Sequence, residues 1–367
     1  MIDTIGYIQV TLVNCAFDRN QKVVQERDKR ALFRCNSSIR SKVTLSCSLQ
    51  SNSESRIDRH FKSDGLQTPV PGTHEYVLYV RSLYDVLCKS EEIETLWMLI
   101  RREAQIIANE EPALASFVHA SVLSQSSLAD SVAFVIAGKL RDPSTPSSTL
   151  FELAREAFFS CSNSSHNHLY FRSKSSDEVQ LKGHVEDLCG EHAMQQDLLA
   201  VMQRDPACTR FIDALLFFKG FHALCAYRIS HYLWAQQNRK QLARYIHSRS
   251  TRKLHVDIHP AAQVGPGAFI DHATGVVIGE TAVVAKNVSM LHRVTLGGAG
   301  NFTGQPRHPT VESGVTLGAG STLLGPIRIG QNAQIGACSL VVTDVPNNST
   351  AVGVPAKIIP PRKLQNS

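Results

Sequence analysis

Aliphatic residues recur every sixth position along the last third of the chain. The first row consists of Ile258, Val264, Ile270, Ile278, Val284, Met290, Leu296, Val311, Leu317, Leu323, Ile329, Ile335 and Val341. A second row of small or aliphatic residues lies four positions after these: Ala262, Ala268, Thr274, Ala282, Val288, Val294, Val315, Ser321, Ile327, Ala333, Ser339 and Val345. A period of six fits neither an amphipathic helix nor an alternating strand. It predicts a parallel β-helix of hexapeptide repeats, in which three hexads complete one triangular coil.

The six-residue step fails at two places. Ile270 and Ile278 are eight residues apart, two more than one hexad, and Leu296 and Val311 are fifteen apart, three more than two hexads. Insertions in a repeat protein become loops on one face, which is often the binding face. Both insertions contain histidine, in "DHATGV" and in "GGAGNFTGQPRHP". The sequence therefore predicts the functional site at these two breaks.

Before the repeats, residues 86–250 read as an α-helical domain with apolar residues at spacings of three and four. The predicted helices start at Ser90, a plausible N-cap, and continue at Ala113–Leu123, Leu128–Leu140, Leu150–Phe159, Glu186–Gln203 and Asp213–Ala235. The polar segment "SNSSHNHLYFRSKSSDE", residues 162–178, is predicted to be a flexible surface insert.

Residues 1–85 lack sustained periodicity and are rich in Ser and Arg, which is typical of a poorly ordered extension. An organelle transit peptide is the alternative, and the acidic residues Asp3, Asp18 and Glu26 oppose it. The β-helix is expected to span residues 251–357, with a tail at 358–367.

The 367-residue chain is 43% hydrophobic and 19% charged, as in ordinary globular proteins. A net charge of +6 without a Lys/Arg block gives no indication of nucleic-acid binding. No apolar run reaches the ~18 residues of a membrane span. Nine cysteines without a C-x-x-C pair indicate free thiols in a reducing compartment. We therefore expect a cytoplasmic protein, with organelle targeting by the extension as the alternative.

His272 is the candidate general base, because an imidazole exchanges protons near neutral pH. Its carboxylate partner is expected to be Asp257 rather than Asp271, since neighbouring residues of an extended strand point to opposite faces. Alternatively, His272 only caps a turn. The nearby histidines His255, His259 and His292 raise a metal alternative, a zinc site like that of trimeric β-helix carbonic anhydrases. No metal is expected, because no His-rich spacing recurs across the breaks.

Several phrases give the chain a specific resemblance: "EPALASFVHA", "RDPAC", "FFKGFHALCAYRISHYLW", "VDIHPAA", "DHATGVVIGETAVV", "VTLGGAG", "RHP" and "GVPAK". Between about Glu91 and Lys357 the chain resembles the serine O-acetyltransferases. The resemblance implies a left-handed parallel β-helix behind an α-helical domain, an α+β fold. It also implies direct transfer of acetyl from acetyl-CoA to the hydroxyl of L-serine, the first step of cysteine biosynthesis from serine.

The resemblance also implies residue roles. His272 would deprotonate serine with Asp257 as its partner, and Arg307 and His308 would hold the serine carboxylate. Asp205 and Asp271 would bind the substrate ammonium, and Glu280 would line the site. The slot for the CoA arm would lie near Gly298 and Ala319.

In this family the slot lies between neighbouring subunits of a trimer, and two trimers join through their helical domains. Members often end in an isoleucine that inserts into the active site of O-acetylserine sulfhydrylase, which the resemblance implies as a possible partner. This chain ends in "RKLQNS", and the missing isoleucine argues against binding by that mode. The loop "GNFTGQPRHP" is about one residue longer than usual and has Pro306 before Arg307.

Two other functions remain open at this point: acetyl transfer to another acceptor, such as homoserine or a sugar, and a non-catalytic scaffold. The presence together of His272, Asp257, Asp271, Asp205, Arg307 and His308 argues against the scaffold.

Overall fold

The chain folds into a layer of α-helices followed by a three-sided coil of short parallel strands. The computed structural model describes residues 69–89, 92–160, 168–170, 182–184, 190–299 and 306–361, which belong to one compact unit. The predicted fold class, an α-helical domain followed by a left-handed parallel β-helix, is confirmed.

The helical layer is built from ten α-helices within the described ranges. They are α1 His74–Ser82, α2 Tyr84–Leu87, α3 Ile93–Glu110, α4 Pro112–Val118, α5 Leu128–Leu140, α6 Ser147–Ser160, α7 Gly190–Arg204, α8 Phe211–Phe217, α9 Lys219–Ala235 and α10 Lys240–Leu254, with a π-helical turn at His119–Leu123. The single helix predicted over Asp213–Ala235 is divided at Phe218, whose ψ of 112° is extended. Helix α10 was not predicted.

Helix α1 corrects the predicted boundary of the extension at residue 85. Tyr76 of this helix is fully buried, and its hydroxyl donates to the buried carboxylate of Glu103 at 2.5 Å. Glu103 also accepts from the backbone N–H groups of Phe211 and Ile212, at the start of α8. This network stabilises α1 although its sequence shows little periodicity. Residues 1–68, the rest of the extension, lie outside the described residues.

The predicted insert over residues 162–178 lies mostly outside the described residues. Its described part is strand β1, His168–Tyr170, which pairs antiparallel with β2, Lys182–His184.

The β-helix has three faces, each one a sheet of stacked strands. Face 1 contains β3 Asp257–Ile258, β6 Val277–Ile278, β9 Thr295–Gly297, β12 Thr322–Leu324 and β15 Leu340–Val341. Face 2 contains β4 Gln263–Val264, β7 Val283–Val284, β10 Thr310–Val311 and β13 Arg328–Ile329. Face 3 contains β5 Phe269–Ile270, β8 Ser289–Met290, β11 Thr316–Leu317, β14 Gln334–Ile335, β16 Thr350–Gly353 and the antiparallel β17 Ala356–Ile359. The β-helix was expected to end at residue 357, which lies inside β17. Since β17 is paired with β16, this boundary divides a strand.

The register of face 1 shows how long each break is. Val277 pairs with Thr295, a regular step of 18 residues, whereas Asp257 pairs with Val277, a step of 20. The two inserted residues displace the second inward row, so that Val276 is fully buried and the predicted Thr274 is exposed. β9 on face 1 is followed directly by β10 on face 2, so only one hexad separates Leu296 from Val311 in the coil. The second break therefore inserts nine residues into a single turn, whereas the count along the sequence assigned three extra residues to two hexads.

Helix α9 fixes the first coil to the helical layer. The Tyr227 hydroxyl donates to Ala262 O at 2.6 Å, and His231 Nδ1–H donates to Pro260 O at 2.8 Å. Arg228 and Asp197 form a fully buried ion pair at 2.6 Å, and Arg228 also donates to the carbonyl groups of Val264 and Gly265. The Tyr227 hydroxyl, Arg228 and Asp197 are thus paired, which removes most of the cost of burying them, whereas Nε2 of His231 is buried without a hydrogen-bond partner among the described residues.

Membrane spans and cysteines can be assessed for the described residues. None of the helices in the described residues is both long enough and apolar enough to cross a membrane. The four cysteines that the structure describes are free thiols: Cys88, Cys208, Cys225 and Cys338.

Candidate active site

The first candidate region is the turn from face 3 to face 1, residues 271–276, which we call the first corner. His272 and Ala273 both have left-handed backbone angles, with φ of 54° and 58°. Two tight turns stabilise it, because Ala273 N donates to Asp271 O at 2.6 Å and Thr274 N donates to His272 O at 2.7 Å. Left-handed angles are unfavourable for residues with a Cβ and persist where the surroundings enforce them, often at functional sites.

The left-handed turn changes which carboxylate meets the imidazole. His272 Nε2 lies 3.5 Å from Asp271 Oδ2, and the two side chains are 75% and 29% exposed. The expectation that adjacent side chains diverge holds for extended backbone and is wrong here, because His272 is not extended. Asp271 is therefore the carboxylate beside His272.

Asp257 has a different partner from the one predicted. Its Oδ1 lies 2.6 Å from Nε2 of His247, on the preceding helix α10. This hydrogen bond lowers the pKa of the Asp257 carboxyl group. Asp257 lies on strand β3, directly after α10, so its outward side chain meets the last turns of that helix. Within this chain the predicted His272–Asp257 pair is thus replaced by His247–Asp257.

Two other side chains border the first corner. The ring of His292, one coil further on, packs edge-to-face against the ring of His272 with centroids 6.0 Å apart. Lys219, the first residue of α9, donates a hydrogen bond to the Thr274 hydroxyl. Gly220 allows this approach, because a Cβ there would lie 1.8 Å from Ile270 O.

The second candidate region is the turn from face 1 to face 2, which we call the second corner. It comprises residues 279–282, 298–299 and 306–309, and residues 300–305 lie outside the described residues. Arg307 Nη2 donates to Glu280 Oε2 at 2.8 Å, and this bond lowers the pKa of the Glu280 carboxyl group. His308 is 8% exposed, and its burial lowers the pKa of the imidazole.

Glycines shape the space around His308. A Cβ on Gly279 would lie 2.0 Å from both Cδ2 and Nε2 of His308, so the ring packs directly against the backbone there. A Cβ on Gly298 would lie 3.3 Å from Nε2, and Gly298 itself is exposed. The Nε2 edge of the ring therefore faces the open side of the corner.

Of the remaining predicted residues, two lie at these corners, and Asp205 lies beside the turn from face 2 to face 3. Gly298 lies on the second corner, and Ala319 lies on the edge of the first corner, two coils beyond His272. Asp205 follows the end of α7, where its carboxylate accepts from Ala207 N at 2.8 Å. Its neighbour Arg204 donates to Gly267 O at 3.0 Å, which fixes this end of α7 against the β-helix.

The histidines considered for a metal site lie apart. His255 forms the left-handed C-cap of α10, His259 lies on the turn after β3, and His292 lies on the edge of the first corner. Across the described ranges, no three or more His, Cys, Asp or Glu side chains are grouped so that they could hold a metal ion.

The chain is similar to known proteins over most of its length. A family model described as "Serine acetyltransferase, N-terminal" matches residues 96–226. The serine acetyltransferase of Escherichia coli (strain K12) is 41% identical over 269 residues, which cover 73% of this chain and 88% of the relative. This chain belongs to the serine acetyltransferase family. Serine acetyltransferase 3, mitochondrial, of Arabidopsis thaliana is 42% identical over 78% of this chain and 66% of that protein.

Among solved structures, soybean serine acetyltransferase complexed with serine is 42% identical, with a TM-score of 0.64. The match covers 74% of this chain and 100% of the soybean chain. As a serine acetyltransferase family member, the chain is an acyltransferase, and the fold expected from the resemblance is the one observed.

For this serine acetyltransferase family member, sequence reasoning missed three residues: Gly279 and Thr281 at the second corner, where both contact His308, and His247, which is bonded to Asp257. Gly279 and Thr281 stand in the phrase "IGET", from which only Glu280 had been singled out. The signal available in the sequence was a glycine and a hydroxyl residue on either side of Glu280. His247 lies on a helix that was not predicted, so nothing in the pattern connected it to Asp257.

Proposed function

We propose that this chain transfers the acetyl group of acetyl-CoA to the hydroxyl of L-serine, with His272 as general base. The observation that carries the assignment is His272 itself. It is an exposed imidazole on a turn lengthened by two residues, with a carboxylate 3.5 Å away and a rigid coil beneath it. A general base must be accessible to its substrate, and the 75% exposure of the His272 side chain meets this requirement.

The chemical step needs no covalent enzyme intermediate. His272 takes the proton of the serine hydroxyl, and the oxygen attacks the thioester carbon, forming a C–O bond and a tetrahedral oxyanion. When the oxyanion collapses, the C–S bond breaks and the CoA thiolate takes the proton from the imidazolium. Asp271 stabilises that imidazolium during the step, as a carboxylate beside a catalytic histidine does.

The second corner offers the complementary binding chemistry. Arg307 provides a planar cation for the serine carboxylate, and a guanidinium matches two carboxylate oxygens with paired N–H groups. His308 adds a neutral donor beside it, and Glu280 orients Arg307 through the 2.8 Å bond. Asp271 and Asp205 are the proposed partners of the substrate ammonium, and Gly298 at the second corner and Ala319 at the first are proposed to line the slot for the CoA arm.

The base and the binding residues lie at opposite ends of face 1, which suggests how the site is completed. Face 1 separates the two corners with the strand β6 and the outward side chain of Val277, which is 37% exposed. We infer that the first corner of one copy meets the second corner of a neighbouring copy in a cyclic trimer. Such head-to-tail contacts close into a ring when the rotation between copies is one third of a turn.

Mixed trimers test this arrangement directly. H272N and H308A variants, each inactive alone, are co-expressed at equal levels and purified together. If sites form between copies, about one interface in four carries both wild-type histidines, and about a quarter of wild-type activity returns. A site within one chain predicts no recovery, because no chain then carries both histidines.

An acceptor assay tests the reaction itself. Thiol release from acetyl-CoA is measured with L-serine, L-homoserine and a sugar acceptor at equal concentrations. We expect CoA release with L-serine at a kcat/KM at least ten times that with homoserine. Absence of CoA release with L-serine contradicts the proposed function.

The identity of the orienting carboxylate has its own test. D271N is expected to lower kcat more than D257N, because Asp271 lies beside His272 and Asp257 is bonded to His247. The opposite order would assign the role to Asp257, which would then have to leave His247 when the site assembles.

We propose the cytoplasm as the compartment, with import into an organelle as the alternative carried by residues 1–85. Localising a fluorescent fusion of these residues distinguishes the two. Diffuse cytoplasmic signal supports the first, and organelle accumulation supports the second.

A further inference from the structure

One hydroxyl group, that of Thr281, contacts three nitrogen atoms of the second corner. It lies 3.0 Å from Arg307 N, 3.2 Å from His308 N and 2.8 Å from His308 Nδ1. The backbone N of Thr281 also lies 3.2 Å from the same Nδ1. This residue has no part in the function described above.

These contacts determine which nitrogen of His308 carries the hydrogen. The two backbone N–H groups can only donate, so they occupy the two lone pairs of the Thr281 oxygen. The single hydroxyl hydrogen is then left to point at Nδ1, and the Thr281 backbone N–H points at Nδ1 as well. Nδ1 is therefore an acceptor, and in the neutral ring the hydrogen must be on Nε2.

The surroundings of His308 favour the neutral ring. Burial is the main cause that lowers its pKa, and the charges of Arg307 and His259 lower it further. The Glu280 carboxylate acts in the opposite direction and does not reverse the shift. The Nε2–H then points along the backbone of Gly279 and Gly298 toward the exposed side of the corner.

We propose that Thr281 is a positioning residue that holds His308 as an Nε2–H hydrogen-bond donor to a substrate oxygen. His308 thus stabilises negative charge on the substrate or on the developing oxyanion and does not remove a proton. The inference rests on the proposed assignment of His308 to the active site. It assigns base and donor roles to different histidines, His272 and His308.

Two matched variants test the role of the hydroxyl. T281V keeps the branched shape without the hydroxyl, and T281S keeps the hydroxyl. We expect T281V to lower kcat/KM roughly 10- to 100-fold, as for loss of one oriented donor, and T281S to restore most of it. The T281V trimer is checked by thermal unfolding and sizing, so that a folding defect is recognised.

The pH profile provides a readout that a purely structural role would not change. Losing a donor to Nδ1 destabilises the neutral ring, so the pKa of His308 rises in T281V. The acid limb of kcat/KM therefore moves to higher pH in T281V and returns in T281S. If T281V has an unchanged acid limb of kcat/KM and an activity within threefold of wild type, the inference is overturned.

Variants of His308 separate this inference from the function on which it rests. The amide of H308Q can supply a donor near the position of Nε2, so H308Q is expected to keep at least ten times the activity of H308A. Equal activities of the two variants, both far below wild type, contradict the donor role, and this comparison decides the question even if T281V does not fold. Wild-type activity of H308A would instead remove His308 from the site.

Discussion

The two corners of the β-helix present histidines in opposite environments. His272 is 75% exposed on a turn of strained backbone, with one carboxylate 3.5 Å away. His308 is 8% exposed, packs on glycine backbone and accepts at Nδ1 from two groups of Thr281. The first corner leaves its ring open to a substrate, whereas the second holds its ring against backbone with Nδ1 occupied.

The difference teaches how one scaffold gives two identical side chains different chemistry. A base has to approach the proton that it abstracts, so exposure suits it. A donor that stabilises charge works best when it is oriented in advance and does not reorganise. Burial and hydrogen bonding, rather than residue type, separate the two roles.

The largest effect is expected from removing the exposed base. H272N keeps a residue that tolerates φ of 54°, so the turn persists while the base is lost. We expect kcat to fall roughly 10³-fold, within the range of general-base contributions. His255 also has a left-handed φ of 55°, so H255N is the matched control, with activity near wild type. A decrease of less than tenfold in H272N would refute the assigned base.

A smaller but still large effect is expected from disturbing the buried ring. In G279A the new Cβ would lie 2.0 Å from His308, so the ring has to move. We expect kcat/KM to fall about 100-fold, since displacements near 1 Å cost that much. G298A, with a contact of 3.3 Å, should lose less.

Gly138 of α5 provides a control for the glycine changes. A Cβ there has no atom within 4 Å, so G138A should keep full activity and gain up to about 1 kcal/mol of stability. If G279A and G298A behave like G138A in steady-state kinetics, the packing of His308 does not matter for the reaction.

A moderate effect is expected at Arg307, which binds rather than reacts. R307K keeps the charge but not the planar fork, so KM for L-serine should rise about tenfold with little change in kcat. E280Q removes the bond that orients Arg307 and should raise KM by less. An R307K variant with unchanged KM would place the serine carboxylate elsewhere.

The smallest effect concerns α9, the helix that packs against the first coil. Burial lowers the pKa of His231 to about 4, so its neutral ring stabilises the fold fully above pH ~6.5. That contribution is lost as the pH falls from ~6.5 toward about 4, because the unfolded chain binds the proton first. H231N keeps a donor for Pro260 O and cannot titrate.

The free energy of unfolding, measured by urea denaturation between pH 7 and pH 5, checks this difference. As the pH falls, we expect the free energy of unfolding of the wild type to decrease by roughly 1 kcal/mol more per pH unit than that of H231N. Identical slopes would show that His231 is not buried as a neutral ring.

Much of the fold could be predicted from periodicity. The aliphatic rows gave the β-helix because inward residues of a coil must be apolar at every sixth position. The places where the rows break, around Asp271 and around Arg307, were also visible by counting. Helix α5 was predicted with its observed bounds, Leu128–Leu140, since its apolar pattern and Ser127 cap are local features.

Other elements depended on distant contacts. Helix α1 was missed because it is held by the bond of Tyr76 to Glu103, which is 27 residues away. The break at Phe218 follows from the close approach of Gly220 to Ile270, which no local pattern shows. The bond of Asp257 to His247 was not foreseen, because His247 comes near it only when α10 forms.

The sequence by itself determined the coil, the two breaks and the set of polar residues placed there, because hydrophobic period and insertion length are linear properties. Only the tertiary structure decided how those residues are paired. The left-handed backbone at His272 turned Asp271 toward the ring, and the fold brought the Thr281 hydroxyl to His308, 27 residues later. Hydrogen-bond partners depend on direction and distance in space, and these are set when the coils stack.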